Sequence, residues 1–182
     1  MRAAALAAPL AILAVAGGCK AAPEGRGAGA KEESTATDSA FCKGVPEIAL
    51  DGRVTDAANI LTTEEKARLS ERLARYERDT KHQMVVATTP SLNGARVDNF
   101  GTCLGIRWGI GRKDIDDGIV VLVAPNERRT NISTGFGMEN ILTDDKALAI
   151  IHQMTPQFKN GDYAGGLSTG IEAIAIQTGD MQ

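Results

Sequence analysis

Polar and apolar positions change period several times along this chain, and each change marks an element. From Thr62 onward Leu69, Leu73 and Tyr76 fall on one helical stripe, with Glu64–Arg68 and Glu71–Arg75 as i,i+4 pairs on the wet side. Thr62 and Glu65 make a Thr-x-x-Glu capping box that starts this helix. The dense charge on its outer surface reads as solvation rather than recognition. Residues 83–89, QMVVATT, form a buried strand that leaves through a Pro90–Gly94 loop. Helical spacing returns with Val97, Phe100, Cys103, Leu104 and Trp108. Gly101, Gly105 and Gly109 recur every fourth residue there, at roughly 1 kcal/mol of helix stability each. The compensation is close backbone approach, to the sheet or to another helix, with packing inside the domain preferred over a dimer face.

The stretch Gly109–Ala124 organises the rest. A glycine-rich helix end leads into the acidic turn of Asp114, Asp116, Asp117 and Gly118. An uninterrupted β-branched run from Ile119 to Ala124 follows, the mark of a strand buried on both faces. Pro125–Arg128 reverses the chain, and residues 129–134 then alternate, with Thr130, Ile132 and Thr134 on one side and Asn131 and Ser133 on the other. So short a connection makes an antiparallel hairpin. Residues 135–140, GFGMEN, read as a flexible glycine loop, and residues 142–145, LTDD, cap a helix whose face is Ala147, Ile150, Ile151, Met154 and Phe158. Asp162 caps a last helix with Leu167, Ile171 and Ile174 inward. Residues 45–61 show little periodicity. The resulting order, αβαββαα, predicts helices covering a mixed sheet in one α/β layered domain.

Composition assigns the ends. The chain has 182 residues, 43% hydrophobic and 24% charged, with net charge −3. No basic cluster interleaved with aromatics is present, which argues against a nucleic-acid partner. Met1-Arg2, an Ala/Leu/Ile run and Ala16-Gly17-Gly18 make residues 1–18 a secretory signal peptide. With Cys19 directly after, the segment resembles a bacterial lipoprotein signal, and Cys19 is expected as the lipidated first mature residue. Ala16 stands where such signals usually carry Leu, and the plainer alternative is an ordinary signal peptide with an incidental cysteine. Lys20, rather than an aspartate, follows Cys19, which favours the outer membrane over the inner. Residues 20–40, rich in Ala, Gly, Glu, Ser and Thr, form a tether that would span roughly 25 Å if flexible. The domain, residues 41–182, then stands on the periplasmic side of a bacterial membrane. In such an oxidising compartment Cys42 and Cys103 are expected to form a disulfide, against the alternative that Cys103 is a small buried hydrophobe.

Candidate chemistry is sparse. Asp114, Asp116 and Asp117 begin like an EF-hand, but Pro125 occupies the twelfth position, where a carboxylate is required. A different oxygen site could combine Asp117 with Asp56, Glu139 and Asp144; turn and cap aspartates are the competing reading. Arg112 and Lys113 are candidate anion contacts, or solvated tips. Residues 166–170 match G-x-S-x-G but lie inside a predicted helix, where a nucleophile elbow needs a strand before it. His82 and His152 have no local partner.

Five segments together carry a family resemblance: VTDAANIL at 54–61, QMVVATTPSL, RWGIGRKDIDDGIVVLVAPNERR, STGFGMENILTD and FKNGDYAGGL. In this order they resemble the TPM-domain family, which includes YgcG-like bacterial envelope proteins and a phosphatase-like protein of the thylakoid lumen. The resemblance covers residues 45–178. It implies a three-layer, Rossmann-like αβα sandwich that binds a divalent cation, usually calcium, at the sheet rim through Asp56, Asp117, Glu139 and Asp144. It also implies weak acid-phosphatase activity in some members and roles in membrane-protein maintenance. Two functions follow as expectations: a membrane-tethered, calcium-binding interaction module that meets an envelope protein, or a metal-assisted phosphatase with Arg112 or Lys113 holding the phosphate.

Overall fold

The computed structural model describes residues 41–179. The expected leader at residues 1–18, Cys19 and the expected tether at 20–40 lie outside the described residues. The elements are β1 (Val54–Asp56), α1 (Thr63–Thr80), β2 (Gln83–Thr88), α2 (Val97–Trp108), β3 (Gly118–Ala124), β4 (Arg129–Thr134), a short 3₁₀ turn (Phe136–Met138), α3 (Asp144–Lys159) and α4 (Tyr163–Gln177). The strands lie in the order β1-β2-β3-β4. The first three are parallel, with Val54 opposite Val86 and Gln83 opposite Gly118, and β4 runs antiparallel to β3. The predicted α/β class with a mixed sheet is what the chain forms.

Two apolar cores, one on each face, give the three layers. Met84, Val86, Ile119, Val121 and Val123 pack with Leu73 and Tyr76 of α1 and Leu167, Ile171 and Ile174 of α4. Val85, Ala87, Val120, Leu122 and Ala124 pack with Phe100 and Leu104 of α2. Every residue of β3 is buried, so its unbroken apolar run reflects cover on both faces. Because β1, β2 and β3 are sequential neighbours while α1 and α2 lie on opposite faces, the two crossovers have opposite hands. One is therefore left-handed, against the usual rule.

The α1 capping box is complete: Thr62 accepts from the Glu65 N–H and Glu65 from the Thr62 N–H. The helical glycines serve intramolecular packing. A Cβ on Gly101 would lie 2.5 Å from Ser133 Oγ of β4, and one on Gly105 3.4 Å from Val120 of β3. Gly109 is the left-handed cap of α2, with φ 62°.

Two sequence expectations are corrected. Residues 54–56 form β1 where the sequence shows little periodicity, since three residues with one apolar side chain cannot set up an alternation. The 135–140 segment is not a free glycine loop. Gly135 N–H donates to Gly118 O at 2.9 Å and Gly137 N–H to Asp116 O at 3.0 Å, and a Cβ at Gly135 would fall 2.1 Å from Asp116 O. These glycines permit close contact rather than motion.

The Cys42–Cys103 disulfide is present, with Cα atoms 5.5 Å apart. It straps residues 42–48 across α2. Arg107 donates to the Cys42, Val45 and Pro46 carbonyls, and Trp108 Nε1 donates to Ile48 O at 2.9 Å.

Candidate functional site at the sheet rim

The acidic turn delivers Asp117 to the rim where β3 begins. Gly111, with φ 112°, allows the turn to fold back, since a Cβ there would lie 2.7 Å from the Gly118 nitrogen. Asp114 and Asp116 both take left-handed backbone angles, which aspartate tolerates better than most residues. Asp117 itself is only 1% exposed. Its Oδ1 accepts from the Arg112 N–H at 2.7 Å, and its Oδ2 lies 2.7 Å from Arg112 Nε and 2.6 Å from Nη2. His82 Nδ1 is 2.9 Å from the same Oδ2. Burial works to raise the Asp117 pKa; the Arg112 guanidinium, the Arg112 N–H and His82 outweigh it and hold it down to about 2. Asp117 is a carboxylate at neutral pH, and its charge is matched inside the protein.

His82 is the residue that sequence reasoning missed. It has no local partner, yet it immediately precedes β2 as Asp117 precedes β3. Parallel pairing of Gln83 with Gly118 sets the two side by side. From there polar contacts continue outward. Gly111 N–H donates to Gln83 Oε1 at 2.8 Å, Gln83 Nε2 to Glu77 Oε1 at 3.3 Å, and Arg53 Nε and Nη2 to Glu77 Oε2 at 3.0 and 2.6 Å. A shallow cleft of about 540 Å³ lies along this chain, with Arg53, Arg78, Lys81 and Arg112 among its walls. Of the two predicted anion contacts, Arg112 lines the cleft, and Lys113 is exposed on the turn beside it without being among the lining residues.

The four predicted metal ligands do not gather at one point. Asp56 is opposite Thr88 at the far end of the strands, whereas Asp117 is level with His82. Six residues of strand put these rows about 20 Å apart. At that far rim the Asp56 carboxylate accepts from the Ile60 and Leu61 N–H groups and from Thr88 Oγ1, at 3.2, 2.9 and 2.5 Å. It fastens the loop after β1. Glu139 and Asp144 are exposed and belong to Asp117's rim. The cap of α3 is Thr143, without a side-chain cap bond, and Asp144 is the first helical residue rather than the cap. Among the described residues no three His, Cys, Asp or Glu side chains are grouped to hold a metal ion. The predicted set does not fit a single calcium, because its two least exposed members face opposite ends of the sheet and are already hydrogen-bonded.

The G-x-S-x-G match lies within α4, as its helical spacing required. Gly166 and Gly170 make room for Phe158 and Met154 of α3, which a Cβ would approach to 2.3 and 2.6 Å.

A doubly covered mixed sheet, with an acidic turn and a pinned glycine segment at one rim, defines an α/β domain of a known kind. The profile of the TPM domain matches residues 54–177, and the chain belongs to that family. Among solved structures it is similar to the N-terminal domain of a protein from P. gingivalis, at 33% identity and TM-score 0.63, covering 73% of this chain and 87% of that one. The N-terminal domain of the cg2496 protein from Corynebacterium glutamicum shares the fold at 16% identity and TM-score 0.58, over 76% of this chain and 87% of that one. The BA42 protein from the psychrophilic bacterium Bizionia argentinensis shares it at 20% identity and TM-score 0.59, over 66% and 82%. No curated protein matches the chain.

Proposed function

We propose that this chain is a TPM-domain binding module of the bacterial envelope. In this reading a lipid on Cys19 holds it at a membrane, and the rim around Asp117 meets an envelope protein during upkeep of membrane proteins. The observation that supports binding over catalysis is the commitment of the two least exposed carboxylates to internal partners: Asp117 to Arg112 and His82, and Asp56, at the opposite rim, to the 60–61 backbone and Thr88. A carboxylate so engaged is poorly placed to act as nucleophile or base. Calcium binding, expected from the resemblance, remains a proposal to be measured. An ion here has to draw on a combination other than Asp56 with Asp117.

The second reading, a metal-assisted acid phosphatase, is favoured by one feature: His82 and ionised Asp117 stand beside a cleft lined by cations able to hold a phosphoryl group. Turnover of a generic phosphomonoester separates the two readings. The purified chain is assayed with and without millimolar calcium, beside Asp117→Asn. No turnover above the buffer rate supports the module. Turnover that Asp117→Asn abolishes in a folded protein overturns it in favour of the enzyme.

A further inference from the structure

The cation-lined cleft has a donor inventory that its internal bonds leave unspent. Arg53 and Arg112 each give Nε and Nη2 to a carboxylate, Glu77 and Asp117 respectively. Their Nη1 groups make no hydrogen bond among the described residues. Each guanidinium fork is thus oriented in advance, which lowers the ordering cost of a further ligand. Arg78 and Lys81 are exposed, with no carboxylate partner among the described residues; Lys81 Nζ donates only to the Arg78 carbonyl, at 2.6 Å. Four cations therefore face two carboxylates, one of them buried behind the cleft, and a positive surplus remains in a chain whose net charge is −3.

A second observation comes from the backbone. Lys81 is the left-handed cap of α1, with φ 68°. Glycine is the usual residue at such a position because it has no Cβ to strain. A lysine here also complements the negative end of the helix dipole, so its side chain has two explanations that experiment can separate.

We infer that the cleft bounded by Arg53, Arg78, Lys81 and Arg112 binds a phosphate-type oxyanion, as a free phosphate or as the headgroup of an anionic lipid. Two pinned guanidinium groups and two unpaired cations suit a ligand with several charged oxygens. The volume is in the range of small-molecule sites. The inference deepens the binding-module reading by naming a ligand class for the same rim, and it requires no chemical step.

The test uses the full chain carrying Cys19→Ala, so that no acyl chain contributes, beside Lys81→Gly and Arg78→Gln in the same background. Pyrophosphate binding is followed by calorimetry, and sedimentation is compared with phosphatidylglycerol and phosphatidylcholine vesicles. The expected result is saturable binding of pyrophosphate, or of phosphatidylglycerol but not phosphatidylcholine vesicles, weakened about tenfold by either substitution. Whichever probe saturates identifies the source of the phosphate. Lys81→Gly is expected to keep or raise the melting temperature, since it relieves the strained cap, so lost binding cannot be ascribed to unfolding. No saturation with either probe up to about 10 mM phosphate, or binding unchanged in both variants, overturns the inference. Phosphomonoester turnover bears on the module alone: binding with turnover removes that reading and leaves the cleft, whereas neither binding nor turnover removes the cleft and leaves the module.

Discussion

At the scale of single residues, Asp117 has the sharpest consequence. Its pKa is about 2 in the folded protein against 3.8 for a free aspartate. A depressed carboxylate contributes stability that is complete above the unfolded value and is lost as pH falls through the folded one. The contribution is on the order of 2 kcal/mol at neutral pH and declines between about pH 4 and pH 2. Urea denaturation at pH 7 is expected to show Asp117→Asn less stable by about that amount, with the gap narrowing towards pH 2. A gap that stays constant down to pH 2 contradicts the assignment. His82 contributes to the same site, yet nothing near it in the chain announces a partner. Its position one residue before a strand mattered only because Asp117 holds the matching position before the next.

At the scale of elements, two contacts decide whether helix and loop sit as described. The Thr62–Glu65 box closes the start of α1, and Thr62→Ala is expected to cost about 1 kcal/mol by chemical denaturation. The 3₁₀ segment depends on close backbone approach: a Cβ on Gly137 would lie 2.0 Å from Ile115 O. Gly137→Ala is therefore expected to cost about 1–3 kcal/mol and to loosen residues 135–140 in hydrogen exchange. Wild-type exchange there would show that the loop accommodates the methyl group. Most elements were legible because their signals are local. The capping box, the six-residue apolar run of β3 and the alternation of β4 each lie within one stretch of chain. β1 was illegible because its strand character comes from pairing with β2 rather than from its own pattern.

At the scale of the whole molecule, the strap and the two cores set stability. The Cys42–Cys103 bridge closes a separation of 61 residues, for which loop-closure entropy predicts about 4 kcal/mol. Thermal unfolding with and without reductant, or with Cys42→Ser, is expected to show a loss of that order. Reduction should also speed exchange at residues 42–48, since Arg107 and Trp108 would then hold the strap alone. An unchanged melting temperature would mean that those hydrogen bonds suffice. Among the described residues no helix is long and apolar enough to cross a membrane.

By itself the sequence determined the α/β class, the helices, the Thr62 and Asp162 caps, the central buried strand and the hairpin after it, and it offered the Cys42–Cys103 bridge as one of two readings. Those features follow from spacing and residue type within short stretches. Only the tertiary structure decided which rim residues are neighbours. Strand order and direction send Asp56 to one end of the sheet and Asp117 to the other, and they bring His82, Arg112, Glu77 and Arg53 towards a common cleft. Of the four carboxylates that read as one ligand set, Asp56 and Asp117 are separate anchoring points and Glu139 and Asp144 are exposed. Periodicity shows which face of an element is buried; which ends of two elements meet depends on pairing across the chain, and no local pattern encodes that.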